Sequence, residues 1–395
     1  EIAPQYPRAD RLLQDNWPIA HDGPSLHSFK DNGRDMFGKF FKSKQESFQL
    51  FIEGYDKPIP INDKTFILQA ALDAGLPFAY SCRVGGCGTC KVRLLEGSVK
   101  EFTDKSYLLS ADELKNNYIL ACQSMARSDV RIKVDHLELS TEAKAAMHRL
   151  VTRQGVLANV RSLTHDISEL TIELDGPMEF TAGEYAEIRV PGVLDEPRSY
   201  SFASRPDPSH PHVVIFHVRR VPGGTFSEWV HSTNRIGTKL ELKGPEGSFW
   251  LRSSAAPMIC IAGGSGMAPI KAVLEQAAAT GAQRDCTYIY GARTQKDLYC
   301  LEEMAELTRT WKGRFEFIPV LSEEPTDSDW QGRRGLVTEF LMPDVPNLAN
   351  CHAYLCGPPP MLDAAITMLK AAGISADHIH FDKFLDKSHL AKTKG

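Results

Sequence analysis

The sequence predicts a multidomain α/β and β protein: a compact β-rich domain, an antiparallel β-barrel and a doubly wound parallel α/β domain, in that order along 395 residues. Three observations predict it. Cys82, Cys87 and Cys90 share one tight loop and Cys122 stands apart, a pattern that suits a small domain built around a metal centre. From Leu150 to about Ser254, short alternating runs come at close intervals with glycine or proline turns between them, the rhythm of a small barrel. From about Pro257 the texture switches to strand, glycine-rich turn and helix in repetition, the mark of a parallel sheet. A chain of this length holds about two to three domains, each able to bury its own core.

Composition narrows the partners. The net charge of −5 and the 24% charged residues give no basic stripe, so no nucleic-acid partner is expected. No apolar run reaches the length of a membrane span, and Glu1-Ile2-Ala3-Pro4 opens no secretory signal, so no membrane insertion and a cytoplasmic location are expected. Residues 1–45 form an amino-terminal extension rich in proline, aspartate and asparagine. Its stretch Met36-Phe37-Gly38-Lys39-Phe40-Phe41-Lys42 suits either a docking arm or a segment packed over its own domains.

The first domain is assigned to residues 46–136. Phe48–Ile52 and Ile59–Ile61 read as a hairpin around Gly54-Tyr55-Asp56. Asp63 is placed to cap a helix carrying Phe66, Ile67, Ala70, Ala71 and Ala74, which Gly75 stops. Val92–Leu95 reads as a strand, Ser110-Ala111-Asp112-Glu113 as a capping box, Tyr118–Ala121 as the strand delivering Cys122, and Val130–Val134 as the last strand of a β-grasp-like domain.

The cysteine order C-x4-C-x2-C with a lone fourth is the spacing that wraps a [2Fe-2S] cluster in plant-type ferredoxins. Gly85, Gly86 and Gly88 let the main chain turn and approach the cluster where a side chain would block it. A zinc site would more commonly pair two short arms or use histidine. The metal ligands are therefore Cys82, Cys87, Cys90 and Cys122, while Cys260, Cys286, Cys300, Cys351 and Cys356 read as reduced thiols.

Residues 137–149 are a polar candidate linker to a barrel over 150–254, whose strands include Ser168–Leu174, Tyr185–Val190, Val213–Val218 and Lys239–Leu242. Arg198-Ser199-Tyr200-Ser201 resembles the flavin signature of the ferredoxin-NADP reductase superfamily. His217-Val218-Arg219-Arg220 and Pro222-Gly223-Gly224-Thr225-Phe226-Ser227 resemble its ribityl and pyrophosphate loop, where backbone N–H groups beside two glycines and a helix start suit an anionic phosphate. The resemblance implies FAD. Arg198 would neutralise a phosphate, Tyr200 would lie against the flavin, and Ser201 would reach toward its N5.

The last domain is assigned to residues 255–384, followed by a tail, 385–395. Ile259–Gly263 runs into Gly264-Ser265-Gly266-Met267 and then a helix from Ile270 to Ala278, which places bare backbone and a helix start at a strand's carboxyl end. The same turn resembles the superfamily's nicotinamide-nucleotide site. Tyr290-Gly291-Ala292-Arg293 with Asp297, and Cys356-Gly357-Pro358-Pro359-Pro360-Met361, follow in the family's order. Cys356 would then neighbour the nicotinamide. Asp297 suits a ribose contact or a helix cap. In His380-Phe381-Asp382-Lys383-Phe384, Asp382 would relay a proton or stand as a solvated charge. Phe384 would cover the flavin, although the chain continues past it.

Taken together, the motifs over residues 47–384 resemble the reductase component of a multicomponent oxygenase, as in Rieske dioxygenases and soluble diiron monooxygenases. This implies a β-grasp ferredoxin domain, an antiparallel β-barrel flavin domain and a doubly wound parallel α/β nicotinamide-binding domain. Electrons would pass from NADH through FAD and the [2Fe-2S] cluster to a terminal oxygenase or an intermediary ferredoxin, with an aromatic or alkane as the final substrate. Ser201, Cys356 and Asp382 are the candidate catalytic residues. NADH is favoured over NADPH because no basic cluster beyond Arg293 awaits a 2′-phosphate. The alternatives are a quinone-reducing flavin iron-sulfur subunit, which normally carries a transmembrane helix, and a non-enzymatic electron carrier with a degenerate reductase half.

Overall fold

The computed structural model describes residues 46–134, 150–232, 235–341 and 345–384, apart from positions 77, 79, 81, 82, 84, 86, 87, 107 and 346. The expected extension (1–45), linker (137–149) and tail (385–395) lie outside the described residues, as do the candidate ligands Cys82 and Cys87.

The first part comprises β1 (Ser47–Ile52), β2 (Tyr55–Asn62), α1 (Ile67–Asp73), β3 (Lys91–Glu96), β4 (Val99–Glu101), α2 (Ala111–Lys115), β5 (Tyr118–Leu120), β6 (Ser124–Ala126) and β7 (Val130–Lys133). Its main sheet has the order β2-β1-β7-β3-β5, with β1 and β7 parallel and the other pairs antiparallel. Helix α1 buries Ile67, Leu68, Ala70 and Ala71 in the core that Leu50, Ile52, Ile119 and Ile132 also fill, which is the β-grasp arrangement. Such buried side chains contribute about 1.5–3 kcal/mol each.

Two local expectations meet different fates. The capping box forms, with Glu113 N donating to Ser110 Oγ at 3.2 Å and Ser110 N donating to Glu113 Oε2 at 2.8 Å. Asp63 does not cap α1: the residue before the helix is Phe66, without a side-chain cap, because Phe66 is held in extended backbone by a β-bridge to Met125.

The second part contains β8 (Val151–Ser162), β9 (Ile167–Leu174), β10 (Tyr185–Val190), β11 (Leu194–Ser201), β12 (Val213–Arg219), α3 (Thr225–Ser232) and β13 (Lys239–Glu246). They form one curled antiparallel sheet, β11-β10-β13-β8-β9-β12. Its two edges are drawn together by a single bridge between Phe202 and Phe216, and Phe202 stacks on Phe180 at 3.9 Å in the core. The flavin signature Arg198–Ser201 forms the end of strand β11.

The third part runs β14 (Met258–Gly263), α4 (Met267–Ala279), β15 (Cys286–Ala292), α5 (Leu301–Thr310), β16 (Phe315–Leu321), β17 (Arg333–Arg334), β18 (His352–Gly357), α6 (Pro359–Ala371) and β19 (Ile379–Lys383). All neighbouring strands are parallel, in the order β17-β16-β15-β14-β18-β19. The order reverses between β14 and β18, and such a reversal opens a crevice at the strands' carboxyl ends. At the strands' amino ends, the His352 and His378 rings stack at 4.1 Å, and His380 lies 5.9 Å from His352.

Candidate functional site

The crevice between β14 and β18 is made by backbone. A Cβ on Gly266 would lie 2.2 Å from the Cys356 carbonyl oxygen, and one on Gly263 would lie 2.8 Å from Met361 Sδ. Gly264 has φ +56°, and its carbonyl accepts hydrogen bonds from Tyr290 Oη at 3.2 Å and Tyr299 Oη at 3.1 Å. Gly357, Pro358 and Met361 close the other side. The sequence motifs at Gly264–Gly266 and Cys356–Met361 thus meet across adjacent strands, as the register pair Ala262–Cys356 requires. Ser265 sits in the same turn, whereas Met267 is fully buried, its sulfur 3.2 Å from Tyr288 Oη.

A cavity of about 410 Å³ opens from this crevice, lined by Gly263, Gly264, Arg293, Pro358 and Met361 together with Arg219 of the barrel. Asp166, on the turn between β8 and β9, ties both arginines: its Oδ2 is 3.1 Å from Arg219 Nε and 2.9 Å from Arg293 Nη2. Asp297 also binds Arg293, and its Oδ2 accepts the Thr294 N–H at 2.9 Å, so it caps a short 3-10 turn rather than α5. Burial works against the charge on both carboxylates. The arginines and Thr164 or Thr294 outweigh it and hold both below the ordinary aspartate value. His165, Asp166 and Asp297 are spaced like metal ligands, but two arginines already compensate these carboxylates.

The three candidate catalytic residues come together. Ser201 ends β11 of the barrel, and its Oγ donates to Asp382 Oδ2 on β19 at 3.4 Å. Asp382 is the register partner of Cys356, and all three are buried. Burial, then the nearby Asp382, push the Cys356 thiol well above its ordinary value, so it stays protonated. Phe384 follows directly, its N–H donating to the Gly357 carbonyl at 3.0 Å and its side chain half-buried.

Among the flavin-motif residues, Tyr200 is half-buried and packs on Phe226 at 5.2 Å, while Ser199 is exposed. The Arg198 guanidinium donates to the carbonyls of Glu196 (3.0 Å) and Pro197 (2.9 Å) in its own strand. Phe226 and Val218 are core side chains of the barrel. Ser227 Oγ accepts the Val221 N–H at 3.0 Å and so fastens the loop ahead of α3. A Cβ on Gly224 would fall 2.5 Å from that Ser227 oxygen, and the Gly224 N–H donates to the Val221 carbonyl at 2.8 Å, so the loop turns tightly into the helix that starts at Thr225. His217 is buried opposite Glu169, Nε2 to Oε2 3.5 Å, and burial lowers its pKa. His217, Val218, Phe226 and Ser227 therefore shape the loop and wall, while Arg198, Tyr200 and Thr225 present groups a flavin cofactor could meet.

Of the cluster ligands, Cys90 and Cys122 are described. Both are buried, and the Ala121 N–H donates to the Cys90 carbonyl at 3.0 Å, which sets the two side by side. Cys122 sits in a 3-10 turn just after β5 rather than in a strand. The loop before Cys90 takes left-handed backbone at Arg83 (φ +55°), Gly85 (φ +77°) and Gly88 (φ +72°). A Cβ on Gly85 would lie 2.8 Å from Gln123 Cγ, so only glycine fits there. Two buried cysteines beside a tightly wound glycine loop fit an iron-sulfur cluster.

The sequence motifs assign no role to Asp166, Glu187, Glu246 or Arg83, whose side chains cross between domains. No spacing rule marks such residues, although Tyr185 and Glu187 share the outward face of an alternating strand.

Three domain families match successive parts of the chain. Residues 50–127 match the 2Fe-2S iron-sulfur cluster binding domain, 154–250 the oxidoreductase FAD-binding domain and 260–366 the oxidoreductase NAD-binding domain. The xylene/toluene monooxygenase electron transfer component XylA of Pseudomonas putida is 38% identical over 90% of this chain and 98% of its own length. The reductase component of the naphthalene 1,2-dioxygenase system of Pseudomonas putida is 33% identical over 85% and 98%. Among solved structures, the Amycolatopsis cytochrome P450 reductase GcoB superposes with a TM-score of 0.70 at 32% identity, covering 85% of this chain and 98% of that one.

Fold and site define a flavin iron-sulfur oxidoreductase that uses FAD, a [2Fe-2S] cluster and NADH. The chain belongs to the family of reductase components of multicomponent oxygenases. Among the described residues, no helix is long and apolar enough to cross a membrane.

Proposed function

We propose that this chain takes electrons in pairs from NADH at the β14–β18 crevice and delivers them singly, from a cluster held by Cys82, Cys87, Cys90 and Cys122, to a terminal oxygenase or its intermediary ferredoxin. The final substrate is an aromatic or alkane, in keeping with the substrates named for its relatives. The observation that carries the reading is the meeting of Ser201 with Asp382 at 3.4 Å, which joins the barrel's flavin motif to the edge of the nucleotide crevice beside Cys356.

FAD, when bound, supplies the exchange between a two-electron donor and a one-electron acceptor. The chain's own residues do the rest. Arg198, freed from its carbonyl partners, meets a phosphate by charge-assisted bonds, and the amide of Thr225 adds a donor at a helix start. Tyr200 offers a ring face, and Ser201 Oγ with Asp382 Oδ2 can hold a proton where the two domains meet. The Gly264–Gly266 turn admits a dinucleotide close to the main chain, with Ser265 and Arg219 at its rim. Gly357, Pro358 and Met361 limit how far the nicotinamide enters, and the protonated Cys356 is a neutral wall rather than a nucleophile. Arg293, already matched by Asp166 and Asp297, adds little attraction for a 2′-phosphate, which favours NADH.

The domain boundaries we assign are 46–136, 150–254 and 255–384. The chain acts in the cytoplasm, where NADH is held and thiols stay reduced, without inserting in a membrane or binding nucleic acid. Anaerobic addition of NADH to the reconstituted protein tests the reading: visible flavin absorption should bleach and an EPR signal of a reduced cluster should appear. In Cys122→Ser, NADH should still drive ferricyanide reduction while cytochrome c reduction is lost. Absence of bleaching in the native protein would overturn the reading.

A further inference from the structure

Arg83 follows Cys82 directly, yet its side chain leaves the cluster-binding domain. Its Nη1 lies 3.1 Å from Glu187 Oε1 on β10, and its Nη2 lies 2.6 Å from Glu246 Oε2 at the end of β13. The Tyr80 ring stacks under the guanidinium at 4.8 Å. The Glu246 side chain is 0% exposed and that of Glu187 18%, so the guanidinium is ion-paired in a largely dry interface. The main chain of Arg83 is braced equally firmly. Gln123 Nε2 donates to the Arg83 carbonyl at 2.9 Å, Thr103 Oγ1 donates to Gln123 Oε1 at 3.1 Å, and Gln123 is the neighbour of Cys122. A left-handed φ of +55° is uncommon for a non-glycine residue, and here those bonds hold it.

The barrel side of this contact is built for it. Strands β10 and β13 are neighbours, with Tyr185 opposite Glu246, so the two carboxylates stand on adjacent strands. Tyr185 and Glu187 point away from the barrel core, where Ala186 and Ile188 point inward, yet Tyr185 is only 6% exposed. Burial and then Glu246, with Asp382 among the weaker contributors, push the Tyr185 phenol up, while Arg83 opposes them. One face of β10 thus lies between the cluster loop and the place where Ser201 meets Asp382. An apolar face tolerates sliding. A planar guanidinium shared by two carboxylates on two strands accepts one orientation.

We propose that Arg83 is a positioning residue that seats the cluster-binding domain on the flavin barrel, with Glu246 and Glu187 as its sockets, and so fixes the path along which electrons reach the cluster. The proposal rests on the function given above. Electron transfer falls steeply with separation, so a small loosening of this seat slows the internal transfer without touching the nicotinamide crevice. Glu246 and Glu187 lie on the barrel, away from the cysteines, so their substitution leaves the cluster loop's own bonds intact.

The test uses full-length protein carrying both prosthetic groups, with Glu246→Gln and the milder Glu187→Gln. Flavin content, cluster EPR signal and NADH-driven ferricyanide reduction should match the native protein. Stopped-flow transfer from flavin to cluster should slow by about tenfold or more in Glu246→Gln and less in Glu187→Gln. Deuterium exchange should rise around Tyr80–Gly88 and in β10 of both variants. Native transfer rates together with native exchange in both variants overturn the role of Arg83. Failure of the native protein itself to pass electrons from NADH to the cluster instead overturns the proposed function, and the exchange measurement still reports on the seat.

Discussion

Asp166 of the barrel holds Arg293 of the α/β domain at 2.9 Å, across the mouth of the nucleotide cavity. The same carboxylate oxygen also faces Arg219, so one acidic group restrains both cations that line the opening. A restrained arginine is a poor receptor for an additional phosphate.

Asp166→Asn should release Arg293 toward a 2′-phosphate. The ratio of kcat/KM for NADH over NADPH is expected to fall about tenfold, equivalent to about 1.4 kcal/mol. Steady-state kinetics with both coenzymes measure it, and an unchanged ratio would show that Arg293 does not face the ribose.

Ser201→Ala removes the hydroxyl that joins the two domains at Asp382. The rate of flavin bleaching by NADH should drop roughly tenfold to hundredfold, because a reacting pair is less well held. Affinity for NAD⁺ should barely move. A native bleaching rate in stopped flow would take Ser201 out of the site.

Arg198→Ala should weaken FAD retention by about 1.5–3 kcal/mol, the worth of a charge-assisted hydrogen bond. Fluorescence titration of the apoprotein with FAD reads the change. Equal affinity in both proteins would mean that the guanidinium remains with its strand carbonyls.

Acid should weaken the α/β domain through His380. Burial, then Arg252, His352, His378 and Arg284, lower its pKa from about 6.5 to about 3. Between these values the unfolded chain binds a proton that the folded chain refuses, so stability is present above pH ~6.5 and declines as pH falls toward about 3. The slope is at most about 1.4 kcal/mol per pH unit, reduced by solvent at the partly open ring. In His380→Gln, denaturant midpoints at pH 7 and pH 5 should lie closer together than in the native protein; an equal gap would count against this role.

Much of the architecture was legible because it rests on local patterns. The cysteine spacing, the alternation in Tyr185–Val190 and the glycine turn at Gly263–Gly266 each follow from what one strand or one turn needs. The site's core was legible for the same reason, since Gly264–Gly266 and Cys356–Met361 end neighbouring strands. Asp63 misled because a side chain suited to capping lost to a tertiary bridge at Phe66. Asp166, Arg83 and Glu246 were hidden for another reason. Each is an ordinary charge in its own segment and gains a purpose only when a separate domain arrives opposite it.

The spot where a Cβ on Gly266 would strike the Cys356 carbonyl has a practical corollary for coenzyme engineering. The floor of the crevice is main chain against main chain and offers a designer nothing to exchange. Retuning the enzyme toward another dinucleotide or a synthetic nicotinamide is better begun away from that turn, as on the facing barrel, where residues such as Asp166 and Arg219 line the opening.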